Sequence, residues 1–179
     1  MAGAGTVYMM TAANLFCGDH DPTKSKHLTL DELTLPALEE NYSEHHPGGA
    51  PVGVEFSVGI KKFESSFKLK GEHPDLLTEF GLGSKVRNPF TAYGVVKDTR
   101  TGRQFESKAI IEARLGVIRP DAFKRGEHRG HDYALNEIMH LEYYFDGAEK
   151  LFWDFFTNTW RVNGLDQNAD DNRLLRISG

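Results

Sequence analysis

The most constraining stretch of this chain is residues 135–162, LNEIMHLEYYFDGAEKLFWDFFTNTWRV. Two aromatic-rich runs flank Asp146-Gly147, a pair whose tolerance of positive φ makes it a strong hairpin signal. The runs 136–145 and 151–162 read as two antiparallel strands. A three-residue loop sets His140 opposite Asp154 and puts Met139, Leu141 and Tyr143 on one face with Leu151, Trp153 and Phe155. A two-residue loop slips the pairing by one and mixes the faces. In either register aromatics occupy both faces. An antiparallel sheet with one wet side alternates cleanly, and this one does not. The chain's own second layer must cover one side, and a neighbouring subunit is the natural cover for the other. Phe152, Trp153, Phe155 and Phe156 are therefore the candidate subunit-packing residues.

With 179 residues the chain is long enough for one real core and short for two, so residues 1–179 read as a single domain. No apolar run approaches the ~20 residues of a membrane-spanning helix. The start, MAGAGTVYMM, lacks the basic and apolar regions of a signal peptide. Both features imply synthesis in a cytoplasm and no membrane anchor. One cysteine, Cys17, excludes an internal disulfide or a multi-cysteine metal site and reads as a small buried hydrophobe. The net charge of −5, with Lys61, Lys62, Lys68 and Lys70 diluted by Glu55, Glu64 and Glu72, argues against a protein that grips nucleic acid by its phosphates.

Elsewhere the pattern is mostly that of strands. Residues 7–17 form an apolar opening, followed by a polar link over 18–26. Residues 28–35 alternate around a break at Asp31-Glu32 that is either a bulge or a second short strand. Residues 36–53 carry three prolines and no sustained period, and structureless segments of that length are uncommon inside a domain unless functional or disordered. Residues 54–70 read as two strands, because the alternation Val54, Phe56, Val58, Ile60 flips phase to Phe63, Ser65, Phe67, Leu69. His73-Pro74-Asp75 opens a short helix with Leu76, Leu77 and Phe80 on its apolar stripe, stopped by residues 81–83. It is the only helix the sequence signals. Residues 90–97 and 104–118 flank a second hairpin turn, with Ala109, Ile111, Ala113, Leu115 and Val117 on one apolar face. Residues 120–132 read as a polar loop. The fold class is mainly β, a sandwich or half-open barrel with one short flanking helix and long loops.

No constellation for chemistry emerges. His128, His131 and Asp132, and the pair His45-His46, read as solvated loop histidines rather than metal ligands. His140 facing Asp154 reads as a structural cross-strand pair, since no nucleophile motif accompanies it. Glu55, Glu64, Glu106 and Glu112 read as the wet face of strands rather than general acids and bases. Catalytic, cofactor-binding and metal residues are all expected to be none.

Five stretches, taken in order, resemble a known family. They are Asn14-Leu15-Phe16; residues 30–36 with LTLP; Glu40-Asn41-Tyr42 with His46-Pro47-Gly48-Gly49 and Ala50-Pro51-Val52; residues 141–145 with the Asp146-Gly147 turn; and residues 161–166, RVNGLD. The ordered set resembles the major tail tube protein of contractile-tailed bacteriophages. The link 18–27 is longer than the usual pattern, and the C-terminal tail 167–179 is more polar. The resemblance implies hexameric rings stacked into a tube inside a contractile sheath, a conduit for genome ejection with no catalytic function. It implies a virion tail protein made and assembled in the host bacterial cytoplasm. Implied partners are further copies of itself and the sheath, tape measure, baseplate hub and tail terminator proteins. A tube protein of a related contractile secretion or bacteriocin-like system is the nearest alternative. The resemblance places 36–53 between stacked rings, with Leu38, Tyr42, His46, Pro47 and Val52 as contact candidates. The lumen candidates are Glu55, Ser57, Lys61, Glu64 and Ser66, with Lys108 and Glu112 behind them. A mixed, net-acidic wall suits DNA that passes through without specific binding.

Overall fold

A long, bent hairpin forms the spine of the molecule. The computed structural model describes residues 5–81 and 86–177. Strand β7 (Gln104–Pro120) runs antiparallel to β8 (Gly130–Phe145) along nearly their whole lengths. Ahead of them lie β1 (Tyr8–Cys17), β2 (Leu30–Thr34), β3 (Glu40–His45), β4 (Val54–Ile60), β5 (Ser65–Lys70), helix α1 (Pro74–Thr78) and β6 (Asn88–Asp98). After them come β9 (Ala148–Asp154), β10 (Thr159–Val162), β11 (Leu165–Asp166) and helix α2 (Ala169–Leu175). The main sheet has the order β1-β6-β7-β8-β9-β10-β11, and β5 joins β8 to β2. Strands β3 and β4 form a separate two-stranded sheet.

Strand β8 uses one edge for two partners. Its first half pairs with β5 from Gly130 to Leu135, and its second half pairs with β9 from His140 onward. Register shifts in the β7–β8 ladder fall at the same place, between Glu112 and Arg114 and between Leu115 and Val117. A bulge adds local twist and re-aims a strand. Here it lets one ladder serve two differently directed sheet halves.

The core follows from alternation. On β7 the residues Ala109, Ile111, Ala113 and Leu115 are buried, and on β5 Ser65, Phe67 and Leu69 are buried while their neighbours point outward. They meet Leu15, Phe90, Tyr133, Leu135, Leu141 and Leu151 from the surrounding strands. Helix α1 closes one end with Leu76, which is fully buried. Its proline lies in the first turn, where the missing N–H is not needed, and Gly81 follows at φ +76°. The remainder of the expected stop, residues 82 and 83, lies outside the described residues.

The hairpin register is the one expected for a three-residue loop, reached by another route. Asp146 (φ 50°) and Gly147 (φ 76°) form a two-residue turn that pairs Phe145 with Ala148. The extra residue Lys150 then shifts the ladder, so that Tyr143 meets Leu151 and His140 meets Asp154. The break at Asp31 is a bulge in the β2–β5 ladder.

Four expectations are corrected. Residues 151–162 are two strands: β9 ends at Asp154, whose Oδ1 accepts from the Thr157 N–H at 2.8 Å, and the chain turns through Asn158 at φ 49° into β10. Asp and Asn are the turn formers there, hidden in an apolar run. The segment 36–53 is not structureless, because β3 within it pairs with β4. The polar tail contains α2, pinned by Asn172, whose Nδ2 donates to the Asn158 carbonyl at 3.0 Å. His131 is a buried residue of β8, stacked 6.2 Å from Tyr133, not a solvated loop histidine.

Candidate assembly interface

The β3–β4 hairpin stands away from the core. Every residue of both strands is exposed, and no other strand pairs with either among the described residues. The cause is compositional. Strand β4 alternates Val54, Phe56, Val58 and Ile60 with Glu55, Ser57 and Gly59, and its partner ENYSEH supplies almost no apolar cover. Phe56 is 58% exposed and Val58 is 63% exposed. Opposite Phe56 lies only Ser43, and opposite Val54 lies His45, whose ring is tilted against Phe56 at 6.3 Å. The base is tied where the Lys61 N–H donates to the Glu39 carbonyl at 2.8 Å and the Lys61 ammonium meets Glu39 at 2.7 Å. An isolated two-stranded hairpin is marginally stable in water. Each large apolar side chain left wet forgoes about 1.5–3 kcal/mol of burial.

A groove of about 1040 Å³ opens beside its base. Its floor is the stretch of β8 from Asn136 to Met139, where the edge has left β5 and not yet met β9. One wall is the β4–β5 link, with Lys61, Lys62, Phe63 and Glu64; the other carries Trp153, Phe155 and Trp160. Phe63 packs edge-on to Trp153 at 5.0 Å and lies stacked with Trp160 at 6.4 Å.

These surfaces collect some of the residues expected from sequence and separate others. Leu38, Tyr42, His46 and Val52 all lie exposed on or beside the hairpin, and Pro47 is half-buried at its far turn. Glu40 hydrogen-bonds the Tyr42 hydroxyl, and this pushes its ionisation up. Glu55 and Ser57 sit on β4, whereas Lys61, Glu64 and Ser66 line the groove. Lys108 and Glu112 belong to β7, where Lys108 lies over the Tyr144 ring at 5.2 Å. The five principal lumen candidates therefore span two surfaces. Of the packing aromatics, Trp153 is engaged within its own subunit by Phe63, and Phe152 is covered by the Arg161 guanidinium at 3.6 Å. Phe155 and Phe156, at the β9–β10 turn, are 57% and 66% exposed and packed edge-to-face on each other. The Arg87 guanidinium lies over the Phe156 ring at 5.4 Å. The half-buried pair and the exposed pair look alike in sequence, because a continuous aromatic run conceals the turn.

A charged network surrounds Phe152, on the side of the sheet opposite Trp153. Arg161 makes a bidentate pair with Glu149 at 3.1 and 2.9 Å, which holds the Glu149 carboxyl below its usual range. His140 faces Asp154 at 3.1 Å, the cross-strand pair expected from sequence. Burial pushes the Asp154 carboxyl up, but hydrogen bonds from Thr157 and His140 outweigh it and leave it lowered. No cluster of three or more metal-ligating side chains occurs among the described residues. No helix among them is long and apolar enough to cross a membrane.

The fold is mainly β and sets an exposed apolar hairpin beside an open groove. The sequence matches the family Phage tail tube protein FII over residues 11–175, and the chain belongs to that family. No curated protein sequence matches it. Its fold is similar to a chain of the PVC sheath–tube complex of an extracellular contractile injection system in the extended state. That similarity has a TM-score of 0.52 at 7% identity, covering 73% of this chain and 87% of that one. A chain of the anti-feeding prophage baseplate gives a TM-score of 0.48 at 8% identity, covering 80% of this chain and 96% of that one.

Proposed function

We propose that this chain is the structural subunit of a phage tail tube, assembling as hexameric rings that stack into the conduit for genome ejection inside a contractile sheath. The family match supports the tube. The observation that carries assembly is the β3–β4 hairpin, whose apolar stripe is exposed along its whole length among the described residues. The hairpin and the groove are different patches of one subunit, so a contact between them is head-to-tail. Contacts of that type close into rings or continue as filaments. Residues 36–53, including Leu38, Tyr42, His46, Pro47 and Val52, serve the contact between rings, and Phe155 and Phe156 serve packing between subunits.

The sheath, tape measure, baseplate hub and tail terminator proteins are the expected partners, and the virion tail is the expected location after assembly in the host cytoplasm. Glu55, Ser57, Lys61, Glu64 and Ser66 are proposed to give a mixed-sign lumen that lets DNA slide. The likeness to an extracellular contractile injection system favours a second reading, a tube subunit of a related injection or bacteriocin-like system.

Excising the hairpin tests the proposal. Because the Lys61 N–H already meets the Glu39 carbonyl, residues 40–60 are replaceable by a Gly-Gly turn without stretching the chain. The intact protein, concentrated and viewed in negative stain, should form rings or tubes. The excised variant should unfold at nearly the same temperature and form no tubes. Long tubes from the excised variant would remove the hairpin from assembly, and a monodisperse intact monomer at every concentration would remove the tube. Particles with packaged DNA in the assembled tails separate the phage from the injection system.

A further inference from the structure

His140 occupies an unusual position in the charged network. It lies on β8 opposite Glu112 of β7 on one side and opposite Asp154 of β9 on the other. Its Nδ1 is 3.1 Å from an Asp154 oxygen, and its Nε2 is 2.7 Å from a Glu142 oxygen. The second Glu142 oxygen accepts from the Tyr144 hydroxyl at 2.5 Å. The imidazole is largely enclosed, with the Phe152 ring edge-on at 5.0 Å. Two cations of the neighbouring strands have partners of their own, Arg161 in Glu149 and Phe152, and Lys108 in the faces of Tyr93 and Tyr144.

A neutral imidazole has one donor and one acceptor nitrogen, whereas the imidazolium has two donors. Two carboxylate oxygens facing the two nitrogens are both satisfied only by the imidazolium. A neutral ring makes one bond and turns a lone pair toward the other carboxylate. The Glu142 contact is the shorter, 2.7 Å against 3.1 Å, so the neutral ring keeps its proton on Nε2 and turns the Nδ1 lone pair toward Asp154. Proton occupancy at this one residue then decides whether the β8–Asp154 tie is complete.

Asp154 connects that tie to the exposed turn. Its Oδ2 faces His140, while its Oδ1 accepts from the Thr157 N–H at 2.8 Å and the Thr157 hydroxyl at 3.0 Å. The turn also leans on β8 through the Phe155 N–H, which donates to the Met139 carbonyl at 2.9 Å. Between these two anchors the chain displays Phe155 and Phe156.

We propose that His140 is a proton-operated latch: as the imidazolium it binds Glu142 and Asp154 together and locks the turn that presents Phe155 and Phe156, and on losing its proton it releases that turn. The latch belongs to the subunit and stands independently of the assembly reading.

Nuclear magnetic resonance of the ¹⁵N-labelled full-length chain tests it, following the His140 ring nitrogens and backbone amide exchange together. While both ring nitrogens carry protons the Thr157 and Phe155 amides should be protected, and the pH is raised stepwise until the ring signals show that one of those protons is gone. After correction for intrinsic base catalysis, exchange at Thr157 and Phe155 should then be at least about tenfold faster, with the β6–β7 amides unchanged; that is a local opening, not global unfolding. In His140→Gln, which has no titratable ring, the corrected exchange at the turn should lose its pH dependence. A wild-type turn whose protection stays constant while the ring loses its proton would overturn the latch. The same pH dependence persisting in His140→Gln would also overturn it. The wild-type titration decides the matter alone if the variant does not fold.

Discussion

Asn136 of β8 stands where a side chain on Gly116 of β7 would have to go: a β-carbon built on Gly116 would lie 2.1 Å from the Asn136 amide oxygen and 2.8 Å from its carbonyl carbon. The contact sits at the bulge where β8 passes from β5 to β9. A side chain here would force Asn136 to shift, and the reason is close approach rather than backbone conformation. Gly116→Ala should cost about 1–3 kcal/mol through overpacking and lower the Tm by about 2–10 °C. Thermal unfolding checks this, and Asn136→Gly in the same chain should recover much of the loss. A double-mutant cycle with no coupling would place the strain elsewhere.

Lys26 is a buried cation whose ammonium meets Asp75 at 2.6 Å, at the start of α1. Burial pushes the Asp75 carboxyl up, while the Lys26 contact more than offsets this and leaves it lowered. Asp75→Asn removes the charge that the buried ammonium requires and should destabilise by about 1–3 kcal/mol, since Asp75 is half open to water and solvent shares the load. Lys26→Met together with Asp75→Asn should recover most of that loss. Urea denaturation of the parent and the two variants measures both effects.

Cys17 is 1% exposed in the core beneath α1, and burial pushes its thiol up to about 12. The thiolate is the reactive form, so the folded chain should ignore a disulfide reagent near pH 8. Reaction should become complete on unfolding in guanidinium. Non-reducing gels of assembled material should show monomer alone. Rapid modification of the folded protein would contradict the burial.

Asp98 closes the β6–β7 turn and takes hydrogen bonds from the Thr6 and Thr101 hydroxyls and from the Arg100 and Thr101 N–H groups. The Thr6 and Thr101 hydroxyls lead in lowering its carboxyl to about 2. A folded-state value below the unfolded one means the contribution is complete above about pH 4 and is lost as pH falls toward 2. Asp98→Asn should therefore be less stable than the parent at neutral pH, with the gap closing between about pH 4 and pH 2. Unfolding curves over that range check the sign, and a gap that widens on acidification would refute it.

Local structure was legible in the chain itself. Alternation located β5, β6 and β7, the flip after Ile60 separated β4 from β5, and Asp146-Gly147 set a hairpin whose pairing of His140 with Asp154 is the one observed. Proline and acid at the first turn marked α1. These are signals between near neighbours, carried by period, turn chemistry and capping. The rest was decided by tertiary structure. The run from Leu151 to Val162 looked continuous because aromatic residues suit strand and turn alike, and only the caps at Asp154 and Asn158 in the folded chain divide it. The β3 strand had no period to reveal it because it has no core to face: it pairs with β4 through its backbone, and backbone pairing leaves no hydrophobic pattern. His131 looked like a loop histidine until β8 drew it under the sheet. Apolar faces are legible in sequence, but what covers a face depends on where distant segments arrive, and for the β3–β4 hairpin no other strand arrives among the described residues.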